Sequence, residues 1–288
     1  MEKDEELESL ERRFVSHPLF IVKFTVVSYL KINKGSIDDR SFFIMDIPKI
    51  EWTITSQPPV INGEEVHIWR IDLSDFADAA PKFIQLLSAD EQQRASQYHF
   101  EKDRNNFIIR RAMLRMLLGS YLDMQPAELN FIYNNFDMPA LEVEIPIHFN
   151  SSSSNGIGIV AITLNARIGV DIEFVDAAFP TLEIAEKYFS ADEVRAIRDL
   201  PPELQTAAFF DCWTKKEAYV KAVGEGMSHP LPNLAILSEK PNSFSVAATS
   251  VETKGWSVTS FIPEPQYIAS LAYEGKLKTI SHFHWPVS

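Results

Sequence analysis

The chain repeats itself. Ser88-Ala-Asp-Glu91 recurs as Ser190-Ala-Asp-Glu193, within "LSADEQQRASQYHF" from Leu87 and "FSADEVRAIRDLP" from Phe189. Both are Ser-x-x-Glu boxes, in which a serine and a glutamate reciprocally satisfy backbone N–H groups that a helix start leaves open. At the same offset "FIIRRAMLRMLLGSYL" from Phe107 meets "FFDCWTKKEAYVKAVG" from Phe209, and both have helical periodicity with a glycine near the end. A strand-like segment precedes each pair, "VHIWRIDL" from Val66 and "RIGVDIEFV" from Arg167. More follow: "LNFIYNNF" and "GIGIVAITL" in the first case, "SFSVAATSV", "WSVTSFI" and "YIASLAY" in the second. The predicted fold class is therefore α+β: two similar pseudo-twofold-related halves, each a long helix packed on a small, mainly antiparallel sheet. The junction falls near Asn165, giving halves over 63–165 and 166–288 behind an N-terminal extension, 1–62, of unknown role.

Charge narrows the partners. A formal net charge of -13 over 288 residues argues against nucleic acid, whose phosphates need a broad basic surface. An anionic ligand must find a local basic patch. The single cysteine, Cys212 beside Trp213, fits a reducing compartment and a packing role. "PLFIVKFTVVSYLK" (Pro18 to Lys31) is too short for a membrane span, carries Lys23 and reads as a strand, while the charged head "MEKDEELESLERRF" reads as a short helix or tail. With no secretion signal either, the expected location is the cytoplasm.

The two halves differ where chemistry would sit. In "GVDIEFV" strand alternation puts Val170, Ile172 and Phe174 on one face and Asp171 and Glu173 on the other, with the carboxylates about 6.5 to 7 Å apart along the strand. The first half has Trp69 and Ile71 there. Glu217 corresponds to Arg115, and Lys221 to Gly119. On the helix Trp213, Glu217 and Lys221 follow at steps of four and share a face. Two readings stay open. Glu217 and Lys221 form an i,i+4 surface ion pair worth a few tenths of a kcal/mol, roughly, with the strand acids merely solvated. Alternatively, three carboxylates and a lysine make an oxygen-ligand site for Mg²⁺ and a phosphate-bearing substrate.

At these residues the chain resembles the Sfp-type 4′-phosphopantetheinyl transferases. Their signatures are a strand G-[IV]-D-[IV]-E and a helix W-[ST]-x-K-E-[AS]-x-x-K, matched here by "GVDIE" (Gly169 to Glu173) and "WTKKEAYVK" (Trp213 to Lys221). A weaker likeness runs over about residues 65 to 275. The resemblance implies transfer of phosphopantetheine from coenzyme A to a serine of an apo acyl or peptidyl carrier protein, leaving 3′,5′-ADP. It implies that Asp171, Glu173 and Glu217 hold Mg²⁺, that Glu217 is the base for the carrier serine, and that Lys221 steadies the departing phosphate. Asp171, Glu217 and Lys221 thus count as catalytic, and Trp213 as core.

The phosphate-facing loop departs from the pattern. The family's F-N-[IL]-S-H-S is "FNSSSS" here, so Ser152 and Ser154 keep their places and Ser153 replaces the histidine. Met138 stands where the family's G-K-P has lysine, and Asn106 where a basic residue is common. Arg94, Arg104, Ser152, Ser154 and Lys221 are the expected coenzyme A contacts, with Lys102, Arg110, Arg111 and Arg115 as further cations nearby. Alone, "NSSSSN" reads as a turn. His282 and His284 make only a weak zinc pair. The repeat within one chain points to a monomer. A diverged, weakly active relative that binds carrier proteins is the alternative function.

Overall fold

The structure, a computed structural model, describes residues 47–224, 234–240, 243–248, 255–275 and 279–286, with side chains described outside 225–254. The charged head and the Pro18 to Lys31 stretch lie outside the described residues. Two compact units are present, one built mainly from Asp72–Leu129 and the other from the remaining described chain.

In the first unit the Ser88 box opens α1 (Ala89–Ser96), and α2 (Glu101–Leu122) follows. Glu91 does more than cap. Its Oε2 accepts from the Ser88 N–H at 3.0 Å, while its two oxygens accept from Arg111 Nε at 2.6 Å and Arg115 Nε at 2.7 Å. Arg115 also donates to the carbonyls of Pro126 and Leu129. Burying that guanidinium is tolerable only because its donors are satisfied. Gly119 is not the helix cap; Asp123, at φ 53°, is. A Cβ on Gly119 would lie 2.6 Å from the Met124 carbonyl oxygen, so this glycine admits the chain folding back over the helix.

The second unit repeats the device with another cation. Ser190 caps α4 (Ala191–Arg198), which follows α3 (Thr181–Tyr188), and Glu193 accepts from Lys216 Nζ at 2.9 Å on α5 (Pro202–Val223). Two five-stranded sheets make up the rest. One is ordered β1-β12-β2-β6-β5, from Thr53–Ile54, Thr279–His284, Glu65–Asp72, Ile157–Leu164 and Ile147–Ser154. The other is β7-β11-β10-β9-β8, from Ile168–Phe174, Tyr267–Glu274, Trp256–Phe261, Ser243–Ala248 and Leu234–Lys240. A hairpin, β3 (Phe131–Tyr133) with β4 (Pro139–Leu141), stands apart. The second sheet is antiparallel throughout, whereas β12 runs parallel to both β1 and β2. The chain's last strand therefore sits in the sheet of β2, a placement that no local pattern signals.

The serine run is a strand, not a turn. Ser151 to Ser154 pair with Val160 to Ile157, and the reversal is confined to Asn155 and Gly156 at φ 41° and 92°. Two successive residues at positive φ make the tight hairpin that Asn-Gly favours.

Alternation on β7 then sorts the residues. Val170 and Ile172 face an apolar core with Ile68, Ile159, Ala161, Ala269 and Leu271, each large side chain contributing about 1.5–3 kcal/mol when fully buried. The opposite face meets α5. Trp213 lies in an aromatic cluster with Phe189, Phe209 and Tyr188, as its packing role requires. Cys212 donates weakly to Glu193 at 3.6 Å, and burial followed by the Glu193 charge pushes its thiol pKa well up, so it is no reactive thiolate.

His282 packs edge-on to Trp52 and beside Phe261, not as a metal ligand, and burial lowers its pKa from 6.5 to about 4. The unfolded chain therefore takes up a proton that the folded chain refuses between those values. The contribution of this ring to stability is unimpaired above about pH 6.5 and declines as pH falls toward 4. Urea midpoints across that window should decline less steeply in His282→Phe than in the natural protein; parallel slopes would show that this ring does not titrate on unfolding.

Candidate active site

The site exists because a strand and a helix touch backbone to backbone. A Cβ on Gly169 would lie 2.0 Å from the Ala218 carbonyl oxygen and 2.5 Å from the Ala222 nitrogen, so only glycine lets α5 settle on β7. Ala218 and Ala222 give the helix its matching small face. With the two elements this close, Lys221 reaches across rather than along its own helix.

Its Nζ donates to Asp171 Oδ1 at 2.6 Å, to Ser152 Oγ at 3.0 Å and to the Val170 carbonyl at 3.4 Å. The i,i+4 ion pair with Glu217 is thus not the arrangement adopted. Ser152 donates to the same Asp171 oxygen at 2.8 Å. Asp171 is only 4% exposed, and its Oδ2 is buried without a hydrogen-bond partner. Two residues along β7, Glu173 Oε2 accepts from Ser154 Oγ at 3.0 Å.

Three acids around one lysine leave a surplus of negative charge, which adds to the effect of burial on Glu173 and Glu217. Burial, then Asp171, pushes Glu173 up to about 8, with Glu217 adding to the repulsion and Ser154 and Lys221 opposing it. Burial and Asp171 push Glu217 up to about 7 against the pull of Lys221. For Lys221, burial disfavours the charge, but Asp171 and Glu217 outweigh it and hold the ammonium above its ordinary range. A carboxyl near neutrality suits a general base, and a buried, unmatched carboxylate oxygen beside two more acids suits a hard cation. Among the described residues no three His, Cys, Asp or Glu side chains are gathered closely enough to enclose a metal ion; Lys221 holds the Asp171 oxygen instead. The orphaned Oδ2 and the oxygen-only donors are what fit Mg²⁺.

The structure brings together Asp171, Glu173, Lys221, Ser152 and Ser154, with Glu217 near enough to feel Asp171. Met138 packs its sulfur against Gly224 at the end of α5, where a Cβ would come within 2.8 Å of it. Arg94 and Arg104 belong to the other unit: Arg94 lies over the Phe107 ring at 5.8 Å and Arg104 pairs with Glu101 at 3.6 Å. The cation patch expected there shrinks, because Arg111 and Arg115 are engaged by Glu91 and Arg110 donates to its own helix at the Asn106 carbonyl. Sequence reading missed Asn150, whose Oδ1 accepts from the Val170 N–H at 3.0 Å. The period-two run Asn150, Ser152, Ser154 was the signal available.

Comparison with known proteins falls on the same residues. Residues 167–272 match the family described as the 4′-phosphopantetheinyl transferase superfamily. The chain is 30% identical over 232 residues to the 4′-phosphopantetheinyl transferase HetI of Nostoc sp. (strain PCC 7120), covering 78% of this chain and 95% of that protein. It is 26% identical over 155 residues to a 4′-phosphopantetheinyl transferase of Bacillus subtilis, covering 54% and 68%. To the 4′-phosphopantetheinyl transferase Sfp of Bacillus subtilis (strain 168) it is 22% identical over 165 residues, covering 57% and 72%.

Proposed function

Because the chain belongs to the 4′-phosphopantetheinyl transferase superfamily, we propose that it moves phosphopantetheine from coenzyme A to a serine of an apo acyl or peptidyl carrier protein, releasing 3′,5′-ADP. The observation that supports this most is the docking of α5 on β7 at Gly169, which sets Lys221 on Asp171 beside Glu173 and Glu217.

Asp171, Glu173 and Glu217 would hold Mg²⁺, which when bound would supply positive charge against the diphosphate. Glu217 takes the proton of the carrier serine as that oxygen bonds to phosphorus. The bond to the adenosine side breaks, and 3′,5′-ADP leaves with the electron pair. Lys221 steadies the departing phosphate while orienting Asp171. The pseudo-twofold halves, 63–165 and 166–288, would make one chain sufficient, so we expect a cytoplasmic monomer. Among the described residues no helix is long and apolar enough to cross a membrane.

A second reading, a relative that binds carrier proteins with little turnover, draws on three neutral residues, Ser153, Met138 and Asn106, where the family resemblance expects cations. Each lost charged contact to phosphate is worth about 1.5–3 kcal/mol if desolvated and less if exposed. One experiment separates the two. Incubate the protein with an apo carrier protein, coenzyme A and Mg²⁺, then weigh the carrier. A phosphopantetheine-sized gain is expected, faster in Ser153→His at low coenzyme A. An unmodified carrier that still binds the protein would decide for the second reading.

A further inference from the structure

Strands β5 and β7 run side by side but belong to different sheets, so no backbone ladder joins them. β7 is the edge of its sheet, and alternate N–H groups on its outer side need acceptors. Side chains from β5 provide two of them. Asn150 Oδ1 accepts from the Val170 N–H, and two rungs further Ser154 Oγ accepts from the Phe174 N–H, both at 3.0 Å.

The second of these bonds has a chemical consequence. A serine hydroxyl has a single proton to donate. With its oxygen held by the Phe174 N–H, Ser154 directs that proton to Glu173 Oε2 at 3.0 Å. Ser152 is committed in the same way, accepting from Lys221 and donating to Asp171. An ionised phosphate only accepts hydrogen bonds, so Ser154 cannot serve coenzyme A without releasing Glu173. We infer that Ser154 is a positioning residue, anchored to the β7 backbone, that fixes the Glu173 carboxylate for a divalent cation rather than contacting coenzyme A. The inference rests on the metal reading of the proposed function.

Ser154→Ala in the full chain should weaken Mn²⁺ binding, measured by the loss of its free-ion resonance signal, by about tenfold, within the range found for groups that orient metal ligands. Coenzyme A affinity in the presence of a chelator should stay within about twofold of the natural protein, judged by calorimetry against the scale of one charged hydrogen bond. Ser154→Thr keeps the hydroxyl and should restore Mn²⁺ binding; Ser154→Cys, a weak donor of similar size, should behave like alanine if alanine does not fold. Ser151→Ala, exposed on the other face of the strand, is the control. Natural-strength Mn²⁺ binding in both Ser154→Ala and Ser154→Cys, or a loss of coenzyme A affinity in chelator, would overturn the assignment. If the natural protein binds no Mn²⁺, the metal reading fails and carries this inference with it, a result distinct from equal binding by protein and variants.

Discussion

Gly169→Ala is expected to lower both stability and turnover, and turnover by more than the stability loss explains. The added methyl would meet the Ala218 carbonyl oxygen and the Ala222 nitrogen at 2.0 and 2.5 Å. Both are backbone atoms of α5, so no side chain can swing aside. Either the helix or the strand must retreat. Overpacking of this kind costs about 1–3 kcal/mol and occasionally more. A retreat of about 1 Å would also stretch the 2.6 Å contact from Lys221 to Asp171, where misplacement on that scale can cost about a hundredfold in rate. Urea denaturation gives the first quantity. The carrier assay, run where the variant is fully folded, gives the second. A variant that keeps both the natural midpoint and the natural rate would mean that the close approach of β7 and α5 is not what assembles the site.

Glu217→Gln should separate the two measurements, lowering turnover while leaving stability almost unchanged. Glu217 is not the partner of Lys221, which is taken by Asp171, so the amide breaks no ion pair. It also removes a charge that repels Glu173 and Asp171. Melting should therefore stay within about 0.5 kcal/mol of the natural protein, the ordinary range for a change that disturbs no packed contact. Turnover should fall by about 10²–10⁴, because glutamine can neither accept the serine proton nor ligate a cation as a carboxylate does. Unchanged turnover would remove Glu217 from the mechanism and leave Asp171 and Glu173 as the remaining bases.

Local pattern made much of this legible. Each Ser-x-x-Glu box marks a helix start because the reciprocal capping bonds are made within four residues. Period two on β7 separated Val170 and Ile172 from Asp171 and Glu173, and steps of four put Trp213, Glu217 and Lys221 on one face of α5. These statements need only the geometry of a single element, and so the sequence by itself determined them. The serine run misled for a related reason: serine favours turns on composition, but pairing with β6 extended Ser151 to Ser154 and left the turn to Asn155 and Gly156.

Partner choice was decided only by the tertiary structure. Spacing allows Lys221 to meet Glu217, yet the Gly169 contact brings Asp171 closer, and a short bond to a buried carboxylate outweighs a solvated pair on a helix surface. Arg115 occupies the position that Glu217 holds in the repeat, and there Glu91 claims it for a buried ion cluster. Ser152 and Ser154 keep a family pattern, but the strand beside them determines that they face carboxylates. β12 joins β2 in parallel across the length of the chain. In each case the energy depends on how two elements far apart in sequence approach each other. A hydrogen bond or ion pair gains its strength within a few tenths of an ångström, and periodicity along one element carries no information about that distance.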